Sequence, residues 1–445
     1  MAASPESVFS AVAPHVTPID KATPVIDFAR SQGAKMYDHI KGGSVIDFAS
    51  HYASLPLGYN HPDFFEEAYE KRLLEVSRVK IANLDVLSDD YVKFLDTFRR
   101  VVGVKPFERF FFVDGGALGV ENAMKAAFDW KAHRNIHRGK PEGKLEIMHF
   151  RQAFHGRSGY TLSVTNTDPN KTRMFPKFDW PRIINPKIRF PMTPENIEAT
   201  LEDERSAMAE INRIMETRAD DIAGILVEPI QGEGGDNHFR PEFLKFLREV
   251  ADKHDVLLIF DEVQTGMGMT GTPWAWQQLG VIPDLVAFAK KAQVGGFMAG
   301  PRIMQEEKNV FTVPSRISST WGASLTDMVR ATKYLEICEK ENLFENAAKM
   351  GAEIVCMLQG VADRTDLISN VRGRGLFIAF DLNYPEMRIP LLDKLYDNGL
   401  MVLICGDHSM RFRPHLNVTM EVAKEAMEIF ESTLVSMEVH VEASI

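Results

Sequence analysis

The stretch VLLIFDE, residues 256–262, is an unbroken apolar run that ends on two carboxylates. Two similar runs flank it along the chain, IAGILVE (222–228) and DLVAFAK (284–290). Continuous apolar runs of this length are typical of strands that are buried on both faces of a parallel sheet. Their ends are separated by about 30 residues, the length of a strand–helix–strand unit. We therefore predict an α/β fold with a mainly parallel central sheet.

A helix is predicted between the first two of these runs. Pro241 suits its first turn, because the fixed φ of proline matches the helix and its missing N–H needs no partner there. The apolar residues that follow recur at helical spacing and share one face, namely Phe243, Leu244, Leu247 and Val250. The segment from 222 to 261 therefore predicts a strand–helix–strand unit.

A charged side chain ends each of the three runs: Glu228, Asp261 and Lys290. Ligands of open parallel sheets bind in the crevice beyond the carboxyl ends of the strands, so we expect these residues to lie together there. A lysine at a strand end is usually solvated, and we expect this of Lys291. A partly desolvated Lys290 amine, in contrast, could condense with an aldehyde. Asp261 could then keep a pyridine nitrogen protonated.

A Gly-rich turn upstream, DGGA at residues 114–117, follows a predicted strand over Arg109–Val113 and precedes a predicted helix over residues 121–130. Residues 146–150 predict a further strand. Free backbone amides and the positive end of the helix dipole can make such a turn a phosphate site. Alone, the turn can equally be a plain connection. The phosphate interpretation gains weight because an acid and a lysine are expected on the same edge of the sheet.

The C-terminal part has a different order of predicted helices and strands. After Gly322 we predict a long helix, short strands and a last amphipathic helix, over residues 328–341, 375–382, 399–404, 410–412 and from 420 onward. This order indicates a smaller α+β domain, which the start of the chain joins. We predict a large domain over residues 75–325 and a small domain made of residues 1–74 and 326–445.

Composition excludes several classes of protein. The 445 residues carry 51 Lys and Arg against 62 Asp and Glu, a net charge of −11, whereas nucleic-acid binders concentrate basic residues on one face. The densest basic stretch, residues 133–144, is interrupted by glycine and proline and predicts a solvated loop. No apolar run approaches the roughly 20 residues that span a bilayer, and residues 1–10 lack the features of a secretory signal. We therefore predict neither nucleic-acid nor membrane partners.

The cysteines and histidines do not indicate a metal site. Cys338, Cys356 and Cys405 are too widely spaced for a Cys-x-x-Cys site, and they predict buried, reduced thiols. The sequence contains no His-Glu-x-x-His motif, so we predict no metal. Few cysteines and no secretory signal together favour a cytoplasmic location.

Two matches to nucleotide-binding motifs are expected to be misleading. GMGMTG (266–271) fits the dinucleotide fingerprint, but the strand before it ends at Asp261 and Pro273 follows it, so no helix begins directly after the glycines. The strand that ends in Asp261 and Glu262 resembles the magnesium-binding strand of nucleotide hydrolases, yet the phosphate loop of those enzymes is absent from the sequence. A nicotinamide oxidoreductase is the less favoured enzymatic alternative.

Nine segments, in this order, resemble the class III, ornithine-type, pyridoxal-phosphate aminotransferases. They are LGYNHP (57–62), DGGALGVENAMKAA (114–127), FHGRSGY (154–160), VEPIQGEGGDNHF (227–239), FDEVQTGMGMTG (260–271), FAKKAQVGG (288–296), STWG (319–322), VRGRGLFIAFDL (371–382) and RFRPHL (411–416). The resemblance covers nearly the whole chain. It implies the fold-type I architecture, a transaminase activity and pyridoxal 5'-phosphate as the cofactor.

The resemblance also assigns cofactor-binding roles. Lys290 would be the Schiff-base lysine and proton shuttle, and Asp261 would pair with the pyridinium nitrogen. Gln264 would approach the phenolic oxygen of the ring and border the substrate.

Further cofactor contacts are implied at the ring face and at the phosphate. Phe154 would stack on the ring, a role that its flat apolar surface suits. Gly116 and Ala117 would contact the phosphate, and Thr320 would reach it from the neighbouring subunit. Sites of this kind are shared across a dimer, so we expect a homodimer.

Substrate binding is expected to depend on two arginines. Arg157 resembles the arginine that grips the carboxylate of the amino donor, through a fork geometry that suits carboxylates. Arg411 resembles a second arginine, which pairs with Glu233 while a terminal-amine donor is bound and is freed when glutamate or 2-oxoglutarate enters. Arg411 and Arg413 can also be an ordinary strand-surface pair, and of the two we favour Arg411 for the pocket.

Within the family, FAKKAQV with STWGAS leans towards the lysine 6-aminotransferases. The expected reaction moves the ε-amino group of L-lysine to 2-oxoglutarate, giving L-glutamate and 2-aminoadipate 6-semialdehyde, which would cyclise. A 4-aminobutyrate or ornithine aminotransferase is the alternative, and a non-catalytic binding module on the same fold is the alternative from another class. Ser318 departs from the asparagine expected in close relatives of the lysine enzyme.

Overall fold

The computed structural model describes residues 5–19 and 23–442, so the predictions that fall on residues 1–4, 20–22 and 443–445 lie outside the described residues. The strands are, in chain order, β1 (Ile26–Gln32), β2 (Lys35–Asp38), β3 (Gly43–Asp47), β4 (Arg109–Val113), β5 (Glu146–Phe150), β6 (Arg182–Ile183), β7 (Ile222–Val227), β8 (Ile230–Gln231), β9 (Asn237–His238), β10 (Leu257–Asp261), β11 (Leu285–Phe288), β12 (Gly295–Ala299), β13 (Ile368–Arg374), β14 (Phe377–Leu382), β15 (Leu400–Met401), β16 (Leu403–Cys405) and β17 (Ser409–Phe412). The α segments are α1 (Pro5–Val12), α2 (Ser50–Ala53), α3 (Glu67–Ser77), α4 (Asp89–Val101), α5 (Gly116–His137), α6 (Gly159–Val164), α7 (Pro169–Thr172), α8 (Pro194–Arg218), α9 (Pro241–Lys253), α10 (Leu325–Lys340), α11 (Leu343–Ala362), α12 (Arg388–Asp397) and α13 (Met420–Glu442). Short 3-10 turns lie at Ala13–His15, Pro62–Phe65, Ala219–Asp221, Ala275–Gln278, Lys290–Ala292, Pro301–Gln305 and Pro385–Met387.

A seven-stranded mixed sheet has the order β4-β12-β11-β10-β7-β5-β6. Parallel pairing joins β11, β10, β7, β5 and β6, whereas β12 runs antiparallel to both of its neighbours, β11 and β4. The prediction of an α/β fold with a mainly parallel sheet is confirmed. β12 is missing from the predicted strands, because its sequence, GGFMA, begins with two glycines, which are depleted in strands.

Apolar side chains on both faces place β7, β10 and β11 in the middle of this sheet. Every residue of these three strands is buried. One face packs against α5, and the other packs against α4, α8 and α9. The predicted helix after the first run is confirmed, because α9 begins at Pro241 and buries all four apolar residues of its predicted inner face.

Two smaller four-stranded sheets lie outside the central one, in the orders β1-β2-β3-β15 and β13-β14-β17-β16. In the first, β3 from the start of the chain pairs in parallel with β15, with Ile46 opposite Leu400. The two ends of the chain therefore share a sheet. The domain boundaries at residues 75 and 325 stay a prediction.

Helix α5 is longer than predicted and removes part of the predicted loop. It ends at His137, so residues 133–137 of the basic stretch are helical, and the prediction of a loop over residues 133–144 is wrong there. The ammonium of Lys131 and the amide of Asn135 are buried and donate to backbone carbonyl groups. These contacts within the protein replace the water that a basic sequence pattern suggests.

The three cysteines are free, but only two of them are buried as predicted. Cys338 and Cys405 are buried, whereas Cys356 is exposed, so the prediction for that thiol is wrong. Position 356 lies two residues from both Ile354 and Leu358, which α11 buries, and therefore points to the opposite side of the helix. Across residues 5–19 and 23–442, no helix is long and apolar enough to cross a membrane. Those same residues contain no cluster of His, Cys, Asp or Glu that could hold a metal ion.

The segment GMGMTG packs against helix α11 instead of opening a helix of its own. Gly268 and Gly271 have φ of 87° and 95°, and a Cβ on either would collide with Phe344 or Ala348 of α11. Turn residues follow Gly268, and bends follow Gly271. The helix that a dinucleotide site needs directly after its glycines is therefore missing at this position, as predicted.

Candidate active site

A cavity of about 670 Å³ lies at the carboxyl edge of the central sheet. Its volume is in the range of small-molecule and cofactor sites. Most of the residues proposed from the sequence line it: Gly116, Ala117, Phe154, Arg157, Glu228, Glu233, Asp261, Gln264 and Lys290. Asp261 is the last residue of β10, while Glu228 and Lys290 follow β7 and β11 closely. Because these strands are neighbours, the prediction that the three charged residues meet at one edge is confirmed.

The Lys290 side chain is partly buried in this cavity. Its backbone has φ of 52°, in the left-handed region, at the start of a 3-10 turn that reverses the chain from β11 into β12. Among the described residues, its Nζ has no hydrogen bond and no ion pair. Burial, reinforced by the positive charge of Arg411, lowers the pKa of the Lys290 amine to about 8. About a tenth of this amine is therefore neutral, and nucleophilic, at pH 7, far more than for an ordinary lysine.

Asp261 is buried and held by two hydrogen bonds. Its Oδ1 accepts the backbone N–H of Val263 at 3.0 Å, and its Oδ2 accepts Nδ1–H of His155 at 2.7 Å. The other ring nitrogen of His155, Nε2, is buried and has no partner among the described residues. His155 is absent from the predicted site, although it stands next to Phe154 in the quoted segment FHGRSGY. Its pairing with a strand 106 residues away leaves no pattern in the sequence.

Glu228 connects two parts of the cavity wall. Its Oε1 accepts the backbone N–H of Phe154, and its Oε2 accepts that of Gly232, both at 2.9 Å. Burial raises the pKa of this carboxyl to about 7. Glu228 therefore fixes the backbone that carries Phe154, whose side chain lines the cavity.

The predicted Gly-rich turn leads directly into α5 at the cavity wall. Gly115 has φ of 88°, and a Cβ at Gly116 would lie 2.9 Å from a methyl group of Val263. The first amides of α5 have no intrahelical partner and lie at the positive end of a helix of 22 residues. Gly115, Gly116 and Ala117 line the cavity, so these amides are in the place that an anion site requires.

Glu233 contacts two cations at the cavity wall. Its Oε2 lies 2.7 Å from Nη2 of Arg411, and its Oε1 lies 2.5 Å from Nζ of Lys171. Burial opposes ionisation of this carboxyl, but the two cations outweigh it and hold its pKa below the usual value. Arg411 is only 1% exposed, and its Nε and Nη1 have no partner in the described part of the chain. The role of these residues in substrate binding stays a prediction.

Both terminal nitrogens of Arg413 are hydrogen-bonded within the protein, whereas its Nε has no partner among the described residues. Its Nη2 lies 2.6 Å from Oδ1 of Asp236, and its guanidinium lies 3.5 Å from the centre of the Phe377 ring. Like Arg411, it is buried and is not among the residues that line the cavity; its Nη2 approaches Oε1 of Gln264 at 3.4 Å. Arg411 is favoured over Arg413 as the arginine that a substrate could reach, because its partner Glu233 lines the cavity and Asp236, the partner of Arg413, does not.

For two of the proposed residues, Arg157 and Thr320, no contact within a single chain indicates a role. Arg157 lines the cavity and is exposed. Thr320 is exposed and does not line the cavity. A contribution of Thr320 to the site would have to come from a second copy of the chain.

Lys291 is buried, so the prediction that it is solvated is wrong. Its ammonium donates to the backbone carbonyls of Ala53 and Leu55 at 3.1 and 3.2 Å, which replace water. Burial lowers its pKa to about 7. Lys291 thus ties the start of the chain to the strand end that carries Lys290.

The backbone that Lys291 holds forms a left-handed turn. All four residues of α2 have positive φ, from 39° at Ser50 to 67° at Ala53. Such a conformation is strained for residues other than glycine and persists when its surroundings enforce it. It places Tyr52, which is 62% exposed, at the mouth of the cavity. Besides His155, the cavity-lining side chains to which the sequence analysis assigns no role are Tyr52, Lys171, Val263 and Ala289.

Comparisons with known proteins cover nearly the whole chain. The profile of the family Aminotransferase class-III matches residues 17–434. The L-lysine-epsilon aminotransferase of Mycobacterium tuberculosis (strain ATCC 25618 / H37Rv) is 47% identical over 94% of this chain and 93% of that protein. The L-lysine-epsilon aminotransferase of Amycolatopsis lactamdurans is 45% identical over 93% of this chain and 92% of its own length.

A solved structure also has nearly the same backbone fold as this chain. The lysine aminotransferase from M. tuberculosis in the internal aldimine form has a TM-score of 0.94 and 44% sequence identity to this chain. The match covers 97% of this chain and 99% of the other. Sequence and backbone therefore agree from the first sheet to the last helix.

Proposed function

The chain belongs to the class III aminotransferase family, and from that premise we propose that it transfers the terminal amino group of L-lysine to 2-oxoglutarate. The products would be L-glutamate and 2-aminoadipate 6-semialdehyde, which cyclises. One observation supports this proposal above the others. A single cavity holds a partly buried lysine amine, a buried strand-end carboxylate and a glutamate paired with a buried arginine. The relatives at 45% and 47% identity carry the lysine activity in their names.

Pyridoxal 5'-phosphate is the cofactor that the residues fit. The amine of Lys290 has no partner among the described residues, and the first amides of α5 are free for a phosphate. When bound, this cofactor supplies an aldehyde that takes up amino groups and a ring that withdraws electrons from the substrate carbon. Lys290 would make the covalent link to the protein and move protons at the substrate carbon.

The surrounding residues would orient the cofactor and keep its pyridine nitrogen protonated. Asp261, itself oriented by His155, would hold a proton at the pyridine nitrogen. Phe154 would offer its flat face to the ring, on a backbone that Glu228 fixes. Gly116 and Ala117 would donate backbone N–H groups to the phosphate.

The charge of the cavity would select two different substrates. Arg157 would bind the carboxylate of lysine, while Arg411 stays neutralised by Glu233. When 2-oxoglutarate enters, Arg411 would leave Glu233 and bind the second carboxylate. The buried Nε and Nη1 of Arg411, which have no partner among the described residues, are suited to this role. Gln264, which lines the same cavity, would border the substrate.

A homodimer would complete the site, with Thr320 reaching the phosphate of its neighbour. Thr320 precedes Trp321, whose backbone carbonyl accepts the N–H of Asn83 at 3.1 Å. The segment after Asn83 exposes Leu84, Val86 and Leu87. Exposed apolar side chains beside a residue that lacks a role in its own chain support an interface at this place.

A panel of amino donors tests the proposed substrate. We expect the purified holoenzyme to show a kcat/KM for L-lysine at least about tenfold above those for L-ornithine and 4-aminobutyrate. Ornithine is one methylene group shorter, a difference worth about 10- to 200-fold in a fitted pocket, and 4-aminobutyrate is shorter and also lacks the α-amino group. Glutamate formation from 2-oxoglutarate is the measurement. Preference for ornithine or 4-aminobutyrate would assign the alternative function. Absence of turnover with all three, together with a colourless protein after incubation with the cofactor, would favour the non-catalytic module.

The amine of Lys290 should titrate near pH 8 in the apoprotein. Burial disfavours its charged form, so the neutral amine should accumulate at lower pH than in an ordinary lysine. We expect the rate at which the apoprotein captures added pyridoxal 5'-phosphate to rise mainly between about pH 7 and pH 9, with its midpoint near pH 8, and to level off above about pH 9. Absorbance change after rapid mixing measures this rate. A midpoint near the ordinary lysine value would contradict the prediction, and Lys290→Ala should show no covalent capture at any pH.

A further inference from the structure

The carboxylate of Glu233 is shared between two cations that differ in their surroundings. Arg411 is 1% exposed, whereas the side chain of Lys171 is 22% exposed and belongs to α7, a segment of four residues at the cavity rim. Each cation takes a separate oxygen of Glu233. The carboxylate can therefore lose one partner and keep the other.

The backbone around Glu233 is fixed, so a change of partner would have to be a rotation of its side chain. The carbonyl of Glu233 accepts the N–H of Gly406 at 2.9 Å. The guanidinium of Arg372 donates to the carbonyls of Gly235 and Asp236. A loop that is held at both ends leaves the Glu233 side chain as its mobile part.

We propose that Lys171 is a positioning residue that retains the Glu233 carboxylate whenever Arg411 turns to a dicarboxylate substrate. This inference rests on the proposed function, in which Arg411 alternates between Glu233 and 2-oxoglutarate. Glu233 is 23% exposed, so without a second cation its release from Arg411 would leave a poorly solvated, unpaired carboxylate. With Lys171 present, Glu233 stays paired in both states. Lys171 thereby makes the dicarboxylate-binding state accessible.

The variant Lys171→Met tests this role, because methionine keeps much of the length of the side chain and removes its charge. We expect the KM for 2-oxoglutarate to rise about tenfold, a typical coupling between two sites, while the KM for L-lysine changes less than about threefold. Lys171→Arg should restore the KM for 2-oxoglutarate. Lys177→Met, at an exposed position six residues further along the chain and outside the cavity lining, is the control and should behave as the wild type. Equal increases in both KM values would overturn the proposal, because they would indicate a general substrate contact.

Binding of glutarate separates this inference from the proposed function. Glutarate is a dicarboxylate without a reactive group, so its affinity for the holoenzyme reports the freed Arg411 and needs no amino donor. We expect Lys171→Met, and equally Lys171→Gln, to weaken glutarate binding about tenfold in a spectroscopic titration. Unchanged glutarate affinity in both variants would refute the role of Lys171 even if lysine is the donor. If lysine is not the donor but glutarate binding weakens, the proposed substrate fails and the role of Lys171 stands.

Discussion

Replacing Lys290 with alanine is expected to abolish turnover, with a loss of about 10⁴-fold or more, the scale seen when an enzyme loses its nucleophile. Alanine cannot form the covalent link to the cofactor and cannot move a proton at the substrate carbon. Lys291, the adjacent lysine, should not replace it, because its ammonium is buried and bound to the carbonyls of Ala53 and Leu55. Glutamate formation and the visible absorbance of the holoenzyme are the two measurements.

A control and a second variant exclude trivial causes of this loss. Lys290→Arg keeps the positive charge but not the nucleophile, so it should be as inactive as Lys290→Ala. Lys177→Met changes an exposed lysine outside the cavity and should keep both turnover and absorbance. Transamination at near-normal rates by Lys290→Ala would show that the mechanism assigned to this amine is wrong.

The substitution Asp261→Asn is expected to lower kcat by about 10³-fold, comparable to removal of one preorganised electrostatic group from an active site. Asparagine has the same shape as aspartate, but it carries no charge and cannot hold a proton at the pyridine nitrogen. Its single side-chain oxygen can accept from His155 or from the backbone N–H of Val263 but not from both, so we expect the fold to be kept with a loss of about 1–3 kcal/mol in the free energy of unfolding. We expect the melting temperature to fall modestly and the protein still to capture the cofactor through Lys290.

The neighbouring carboxylate provides a matched control for Asp261. Glu262 is also buried but faces away from the cavity, and it accepts the backbone N–H groups of Ala275 and Trp276. Glu262→Gln should lower the free energy of unfolding by about 1–3 kcal/mol, because an amide has a single oxygen to satisfy these donors. Its kcat per folded molecule should stay near that of the wild type. If Asp261→Asn, like Glu262→Gln, lowers stability and leaves kcat intact, Asp261 has a structural role alone.

Much of the sheet and of its polar edge could be predicted from local patterns. Strands that are buried on both faces must be apolar throughout, so the runs ending at Glu228, Asp261 and just before Lys290 are visible in the sequence. Nine quoted segments led to the class III aminotransferases, and that assignment is confirmed. The prediction succeeded for residues whose position is determined by the strand that they end or directly follow.

The rest of the site depends on contacts between distant parts of the chain. Lys171 meets Glu233 across 62 residues, and Lys291 meets Ala53 across 238. Every residue has a backbone carbonyl, so a sequence pattern cannot identify one as the partner of a lysine. The sequence therefore predicts a solvated side chain for Lys291. The left-handed turn of α2 is equally hidden, because its sequence SHYA contains neither glycine nor asparagine to indicate positive φ.

Because β12 runs antiparallel to β11, the connection between the two strands restricts where residues can be inserted into this protein or deleted from it. Residues 289–294 alone connect β11 to β12, and both strands are fixed in register within the sheet. Each inserted residue adds up to about 3.8 Å of chain, more than the length of a hydrogen bond, and would displace the amine at position 290. Insertions and deletions, whether natural or engineered, should therefore be tolerated least in this short hairpin and must accumulate in connections far from it.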